Sequence, residues 1–226
     1  MFVAIPPRHK SQARWVTPLL VVALCAAFVW TQSMSPLARQ SLLQGWGMLG
    51  ALGMEGPDAS HPARWIRLVS ALFLHGDWSH LLGNLVFLMI FGLPAERVLG
   101  SLRLLAVFLL GGAIANLAAS LSIDGDQVVI GASGAVSALI GAWLALFPKA
   151  RLGVVLPLGL FLEFVRAPAV LLIGLWILLQ VLFAYIGPAY GQVAWVAHVA
   201  GFGIGGMFAL LSRPAIARRM RKERGY

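Results

Sequence analysis

Charged residues fall in short intervals along this chain, and the stretches between them are apolar for lengths that suit a membrane. Arg14 to Arg39 encloses one such run, around Trp15–Trp30. Asp77 to Glu96 encloses a second around Trp78–Ala95, Arg103 to Asp124 a third, and Asp126 to Lys149 a fourth. Arg166 to Arg213 encloses a longer run, broken at Gly187-Pro188-Ala189-Tyr190-Gly191 into segments near 168–186 and 193–212. A helix needs roughly 20 residues to cross about 30 Å of hydrocarbon. The pattern therefore predicts six transmembrane helices, an all-α polytopic membrane protein. The interval 32–77 is a long loop rich in Gly, Pro, Trp and Met. Within it, Gln40–Met54 is apolar enough to lie in the interface as short helices. Leu152–Leu162 is too short to span, is flanked by Arg151, Glu163 and Arg166, and is expected on the inner surface. No internal repeat and no second domain are visible.

Composition agrees with this picture. The chain has 226 residues, 60% of them hydrophobic and only 11% charged. Soluble domains carry about 25% charged residues. The charge distribution sets the orientation. With the N-terminus inside, six crossings leave only Arg39, Arg64 and Arg67 outside, out of 17 Lys and Arg, a strong positive-inside bias. Glu55, Asp58, Asp77, Asp124 and Asp126 fall outside. The expected organisation is a basic cytoplasmic arm over 1–14, a six-span domain over 15–213 and a basic cytoplasmic tail over 214–226. The tail points to lipid headgroups as partners and away from nucleic acid. The first span lacks a small-residue cleavage site, so it is expected to remain uncleaved. The single Cys25 excludes an intramolecular disulfide and a cysteine-based zinc site.

Four polar residues lie where lipid makes them costly: His80 and Asn84 in the second span, Ser133 in the fourth and His198 in the sixth. These three spans run outside to inside, so all four residues fall in the outer part of the membrane. Each has a bland alternative. Ser133 stands among Gly131, Ala132, Gly134 and Ala135, a composition that also suits close helix packing. His198 alone fits a structural hydrogen bond as well as chemistry. His80 and Asn84, four apart on one helical face, suit a structural pair. They suit a metal poorly, with no carboxylate in the span and no cysteine nearby. His75 precedes the helix and is expected to pin the loop.

Together the four have a chemical logic. A serine hydroxyl becomes nucleophilic when a neighbouring base takes its proton, and His198 is the available base. No Asp or Glu lies in the outer membrane half to complete a triad, so the expected unit is a Ser–His dyad, with packing or a backbone group orienting the ring. Acyl transfer also needs donors aimed at the developing oxyanion; His80, Asn84 and the Ser133 N–H supply three. No cofactor is expected.

The residues from about Arg67 to Gly205 resemble the rhomboid intramembrane serine proteases. The nucleophile motif G-x-S-G appears at Gly131–Gly134, and H-x4-H-x3-N at His75, His80 and Asn84. The base is His198, followed by Gly201-x3-Gly205. The motif G-x3-E-x3-G appears at Gly92, Glu96 and Gly100, and the first-loop Trp-Arg pair as Ile66-Arg67. The resemblance implies that Ser133 is the nucleophile and His198 the general base, with His80, Asn84 and the Ser133 amide as oxyanion hole. It makes Arg67 a structural loop residue and Glu96 a structural residue at a helix end. It makes the fifth span, about Ala169–Ile186, a lateral gate with Trp176 and Phe183 as gate residues. Ser137 stands where many members carry a Tyr stacked on the histidine, so that stacking is expected to be lost.

The implied reaction is peptide-bond hydrolysis in or next to the transmembrane helix of a membrane-protein substrate. The small size and absence of targeting segments point to a multi-pass protein of a bacterial cell membrane, with a mitochondrial membrane the alternative. Two other classes remain. One is a catalytically inactive rhomboid-like protein that binds membrane proteins. The other is a transporter, which would need a polar route to the inner face that the inner halves of these spans lack.

Overall fold

The computed structural model describes residues 14–50, 63–123, 127–158, 161–186 and 195–223. The first apolar run becomes α1 (Val16–Gln32), whose buried positions Val16, Leu20, Leu24, Phe28 and Thr31 repeat at helical spacing. Next come α2 (Pro36–Trp46) and a two-residue strand β1 (Met48–Leu49). Ser35 caps α2 by accepting the Ala38 N–H, as its residue type favours. After α3 (Ala63–Ser70), the second span is built from α4 (Trp78–Phe87), one π-helical turn over Leu88–Gly92, and α5 (Leu93–Leu99). Gly100, at φ 84°, turns the chain directly into α6 (Ser101–Ser120). A second short strand, β2 (Val128–Val129), leads to α7 (Ser133–Leu146). The last two helices are α8 (Ala169–Ile186) and α9 (Trp195–Glu223). α9 continues through Pro214, and Arg213 just before it donates to the Ala145 carbonyl at the end of α7.

The all-α expectation needs one correction. Residues 151–168, which include the Leu152–Leu162 run expected on the inner surface, form an antiparallel hairpin of β3 (Arg151–Leu158) and β4 (Phe161–Pro168), in register from Arg151↔Pro168 to Leu158↔Phe161. Val-, Leu- and Phe-rich segments favour paired strands over a helix too short to stand alone. A second pair joins β1 to β2 through Met48↔Val129 and Leu49↔Val128. The molecule is mainly helical, with these two small sheets.

Three helical stretches are long and apolar enough to cross a membrane: Trp78–Leu99, Ser101–Ser120 and Trp195–Arg219. The remaining apolar helices among the described residues are shorter, Val16–Gln32, Ser133–Leu146 and Ala169–Leu182. α7 has 14 residues, which rise about 21 Å, less than the hydrocarbon thickness.

α7 is the centre of the bundle. Every residue from Gly134 to Trp143 is buried, as expected of a helix apolar on all sides. Small residues let its neighbours approach. On the α6 side, a methyl at Gly111 would press on the Ala138 Cβ, and one at Gly112 on the Ala135 Cβ. On the α9 side the contact is backbone on backbone. A methyl at Gly201 would overlap the Gly134 carbonyl, one at Gly205 the Ala138 carbonyl, and one at Gly141 the Phe202 carbonyl. Association in lipid rests on such close packing, since lipid tails offer no hydrophobic drive between helices. α8 lies at the margin, with Leu171, Leu175, Leu178 and Leu182 exposed and Ala169, Ile173 and Gln180 buried.

At the other end of the second span, Glu96 is 1% exposed. Its carboxylate accepts the Val16 N–H (2.9 Å), the Thr17 N–H (3.0 Å), the Thr17 hydroxyl (2.7 Å) and the Ser101 hydroxyl (2.6 Å). It thus caps α1 and meets the first residue of α6. Both are helix starts, where N–H groups lack intrahelical partners and a negative charge is favoured. Gly92 lies one turn earlier, where a Cβ would stand 3.2 Å from the Thr17 Cγ2.

Candidate active site

The approach to Ser133 is fixed from several sides. β2 ties the preceding loop to β1, and the Gly131 N–H donates to the Ala71 carbonyl at 2.8 Å. Gly131 has φ +117°, and a methyl there would strike the His80 ring. Both facts demand glycine at this position. The helix then begins at Ser133 itself. Its backbone N–H is one of the helix-start donors without an intrahelical partner, at the positive end of the α7 dipole.

Asp77 caps α4 by accepting the His80 N–H at 2.8 Å, and also accepts the Ser79 hydroxyl at 2.6 Å. The Ser79 bond, with the His80 N–H adding to it, holds the Asp77 carboxyl below its usual range. This cap sets the phase of the helix, so that His80 and Asn84 follow one turn apart. His75 lies just ahead of the helix, fully buried. Arg39 of α2 donates to the His75 and Gly76 carbonyls and anchors this corner. The His75 Nε2 lies 3.5 Å from the Ala132 N–H and 3.1 Å from the Asn84 Nδ2. It accepts from both, which puts the ring proton on Nδ1. Burial pushes the His75 imidazole down to about 4, with the neighbouring His80 adding to the shift. The His75 and His80 rings meet edge to face at 5.1 Å.

His75, His80 and Asn84 therefore gather around the corner 131–133. The Asn84 amide also donates to the His80 carbonyl at 3.1 Å. Both its protons are engaged, one holding His75 and one holding the helix backbone. The His80 ring faces Gly131 of the loop before Ser133, where an added methyl would strike it.

His198 comes from the opposite side, one turn before Gly201. The seam between α7 and α9 starts at this level: Gly134 faces Ala197 and Gly201. Ser133 and His198 are thus neighbours of the residues in contact, and both are half-buried. No hydrogen bond joins their side chains. Among the described residues the Ser133 hydroxyl has no partner, while the Ser133 carbonyl accepts the Ser137 hydroxyl at 2.7 Å.

Two expectations about His198 are corrected. Its orienting group is neither packing alone nor backbone: the Gln180 Oε1 lies 2.7 Å from the His198 Nδ1. Stacking is also present despite Ser137. The Trp176 ring of α8 lies over His198 at 6.2 Å with 29° between planes, and Trp195 meets it edge-on at 6.0 Å. The sequence signal for Gln180 was available, since it is a lone amide in an otherwise apolar span. Trp176 was singled out only as a gate residue, and the side chain of Phe183 lies outside the described residues. Arg67 lies in the last turn of α3, half-buried, so it belongs to a helix and not to a loop. Glu96, Gly92 and Gly100 belong to the separate cluster at the α1–α5–α6 corner. Among the described residues no three of His, Cys, Asp or Glu converge to hold a metal ion.

Comparison with known proteins agrees with this architecture. The Rhomboid domain family matches residues 62–215. RHOMBOID-like protein 5 of Arabidopsis thaliana is 29% identical over 164 residues, covering 62% of this chain and 53% of that protein. Rhomboid-related protein 2 of Mus musculus is 29% identical over 199 residues, covering 84% of this chain and 60% of that protein. Rhomboid-like protease 2 of Toxoplasma gondii is 32% identical over 131 residues, covering 57% and 46%. The chain spans about half the length of the curated relatives it matches. It belongs to the rhomboid family and is an integral membrane protein.

Proposed function

We propose that this rhomboid-family chain is an intramembrane serine endopeptidase. Ser133 is the nucleophile, His198 the general base, and the Ser133 N–H with His80 the oxyanion donors, joined by Asn84 once substrate draws one of its amide protons away from His75 or the His80 carbonyl. The reading includes six spans, both termini in the cytoplasm of a bacterial cell, and a site that opens outward. One observation carries it: a glycine seam brings the first turn of α9 against the first turn of α7, with the Ser133 hydroxyl unengaged. A resting distance too long for a hydrogen bond is common in sites that tighten when substrate arrives.

The chemistry is acyl transfer. The Ser133 Oγ attacks the scissile carbonyl carbon as its proton passes to the His198 Nε2. The carbonyl π electrons move to oxygen, where the N–H donors receive the charge. Collapse breaks the C–N bond, and the leaving amine takes the proton from His198. Water then attacks the Ser133 ester by the same route and frees the enzyme. The substrate is a transmembrane helix of another protein. Its carbonyls are locked in helical hydrogen bonds, so it must unwind locally before cleavage. The short α7 supports this, because a helix of about 21 Å begins below one membrane surface, where water can reach.

A second reading, a non-catalytic binder of membrane proteins, rests on the absent Ser133–His198 hydrogen bond. Purified protein in liposomes with reporter transmembrane substrates separates the two. Cleavage by wild type and not by Ser133→Ala or His198→Ala supports the protease. No cleavage by any form, with no Ser133 labelling by a fluorophosphonate, supports the binder.

A further inference from the structure

Gln180 lies on α8 at the end of an inward stripe, Ala169, Ile173, Trp176 and Gln180, and is 6% exposed. In lipid such an amide must find a partner inside the protein. It finds the His198 Nδ1 at 2.7 Å. An amide oxygen only accepts, so the ring must donate. The proton then sits on Nδ1 and the lone pair on Nε2. That tautomer is the one a general base needs.

We infer that Gln180 is a positioning residue, which fixes His198 in the tautomer that leaves its Nε2 free to accept the Ser133 proton. The inference rests on the protease reading for its catalytic meaning, but the tautomer itself is a property of the resting protein. Gln180 takes the place of a triad carboxylate without its charge. It sets ring orientation and tautomer, and it adds no negative charge to stabilise the imidazolium. Trp176 and Trp195 hold the plane of the ring from two other sides. Loss of the amide should therefore leave the ring in place and release only its proton preference. Trp176 and Gln180 both come from α8, so one marginal helix governs the base.

The test uses the full chain, labelled with 15N-histidine, in lipid nanodiscs. The His198 ring nitrogens are identified by their loss in His198→Ala. Wild type should show a single neutral form protonated on Nδ1. Gln180→Met, of similar length but with no strong acceptor, should populate the form protonated on Nε2. Gln180→Glu should restore the Nδ1 form. Protonation of Nε2 in wild type, or an unchanged tautomer in both variants, overturns the inference. Neither readout requires cleavage, so a wild-type protein that fails to label with fluorophosphonate counts against the protease reading alone. With labelling in hand, Gln180→Met should lower kcat roughly 10-fold or more at unchanged KM, well short of the about 10⁴-fold loss seen where an amide locks the wrong tautomer. Gln180→Glu should recover the rate and move the acid limb of the pH profile to higher pH, because a carboxylate favours the protonated ring. A fall in KM and kcat together, with no such shift, would mark Gln180 as structural only.

Discussion

The Glu96 carboxylate receives four donors at a helix corner, while the Ser133 hydroxyl, in the same apolar bundle, receives none among the described residues. Both groups are polar and sit in helices of membrane character. Lipid penalises either if left unsatisfied. At Glu96 the penalty is removed completely, and two helix starts are tied together as a result. Around Ser133 the supporting groups engage one another, the His75 Nε2 with Asn84 and Ala132 and the His198 Nδ1 with Gln180, while the hydroxyl is left over. A saturated polar cluster holds structure, and one with spare valence is available for reaction.

Ser133→Ala tests the reactive side of this contrast and carries the largest expected effect. Turnover should fall by about 10⁴-fold or more, while the melting temperature stays within about 1 °C. A marked loss of stability would mean that Ser133 also holds the fold. Glu96→Ala tests the saturated side. It leaves four donors facing a void and should cost about 3–5 kcal/mol of stability. Unfolding in a lipid-detergent mixture measures this. The protein that remains folded should keep most of its fluorophosphonate labelling, and selective loss of labelling would join the two clusters into one.

His75 offers a gentler probe. Its folded value of about 4 lies below the ordinary 6.5. Between these values the unfolded chain binds a proton that the folded one refuses. Stability should therefore be level above pH 6.5, fall as pH drops towards 4, and level off below, losing up to about 3 kcal/mol. Melting curves across this window check the slope, which should become shallower in His75→Gln. The smallest effect is expected at the seam. Gly205→Ala places a methyl on the Ala138 carbonyl and should cost about 1–3 kcal/mol. It should also displace α9 enough to slow labelling of Ser133; unchanged labelling would show that the seam does not set the dyad distance.

Much of this was legible in the sequence because lipid simplifies it. Apolar length marked the helices, and stray polar residues marked the site. The Gly201-x3-Gly205 seam follows from small residues at the spacing of close helix packing. The hairpin over 151–168 was missed because its apolar run was weighed for length and not for strand propensity. Gln180 obeys the same rule as Asn84, a lone amide in an apolar span, but it lies in a span that carries no histidine or serine to draw it into the set. The aromatic support of His198 could not be read from one position, since Trp176 and Trp195 come from different helices.

The seam between α7 and α9 has a further consequence during biosynthesis. It joins two helices far apart in the order of translation. His198 emerges roughly 65 residues after Ser133, an interval of about 3–13 s at a synthesis rate of about 5–20 residues per second. Throughout that interval the nascent chain holds its serine without its histidine. On the protease reading, inserting neighbours in the translocation machinery would meet an inert chain, and competence would arrive only when the last glycine face closes.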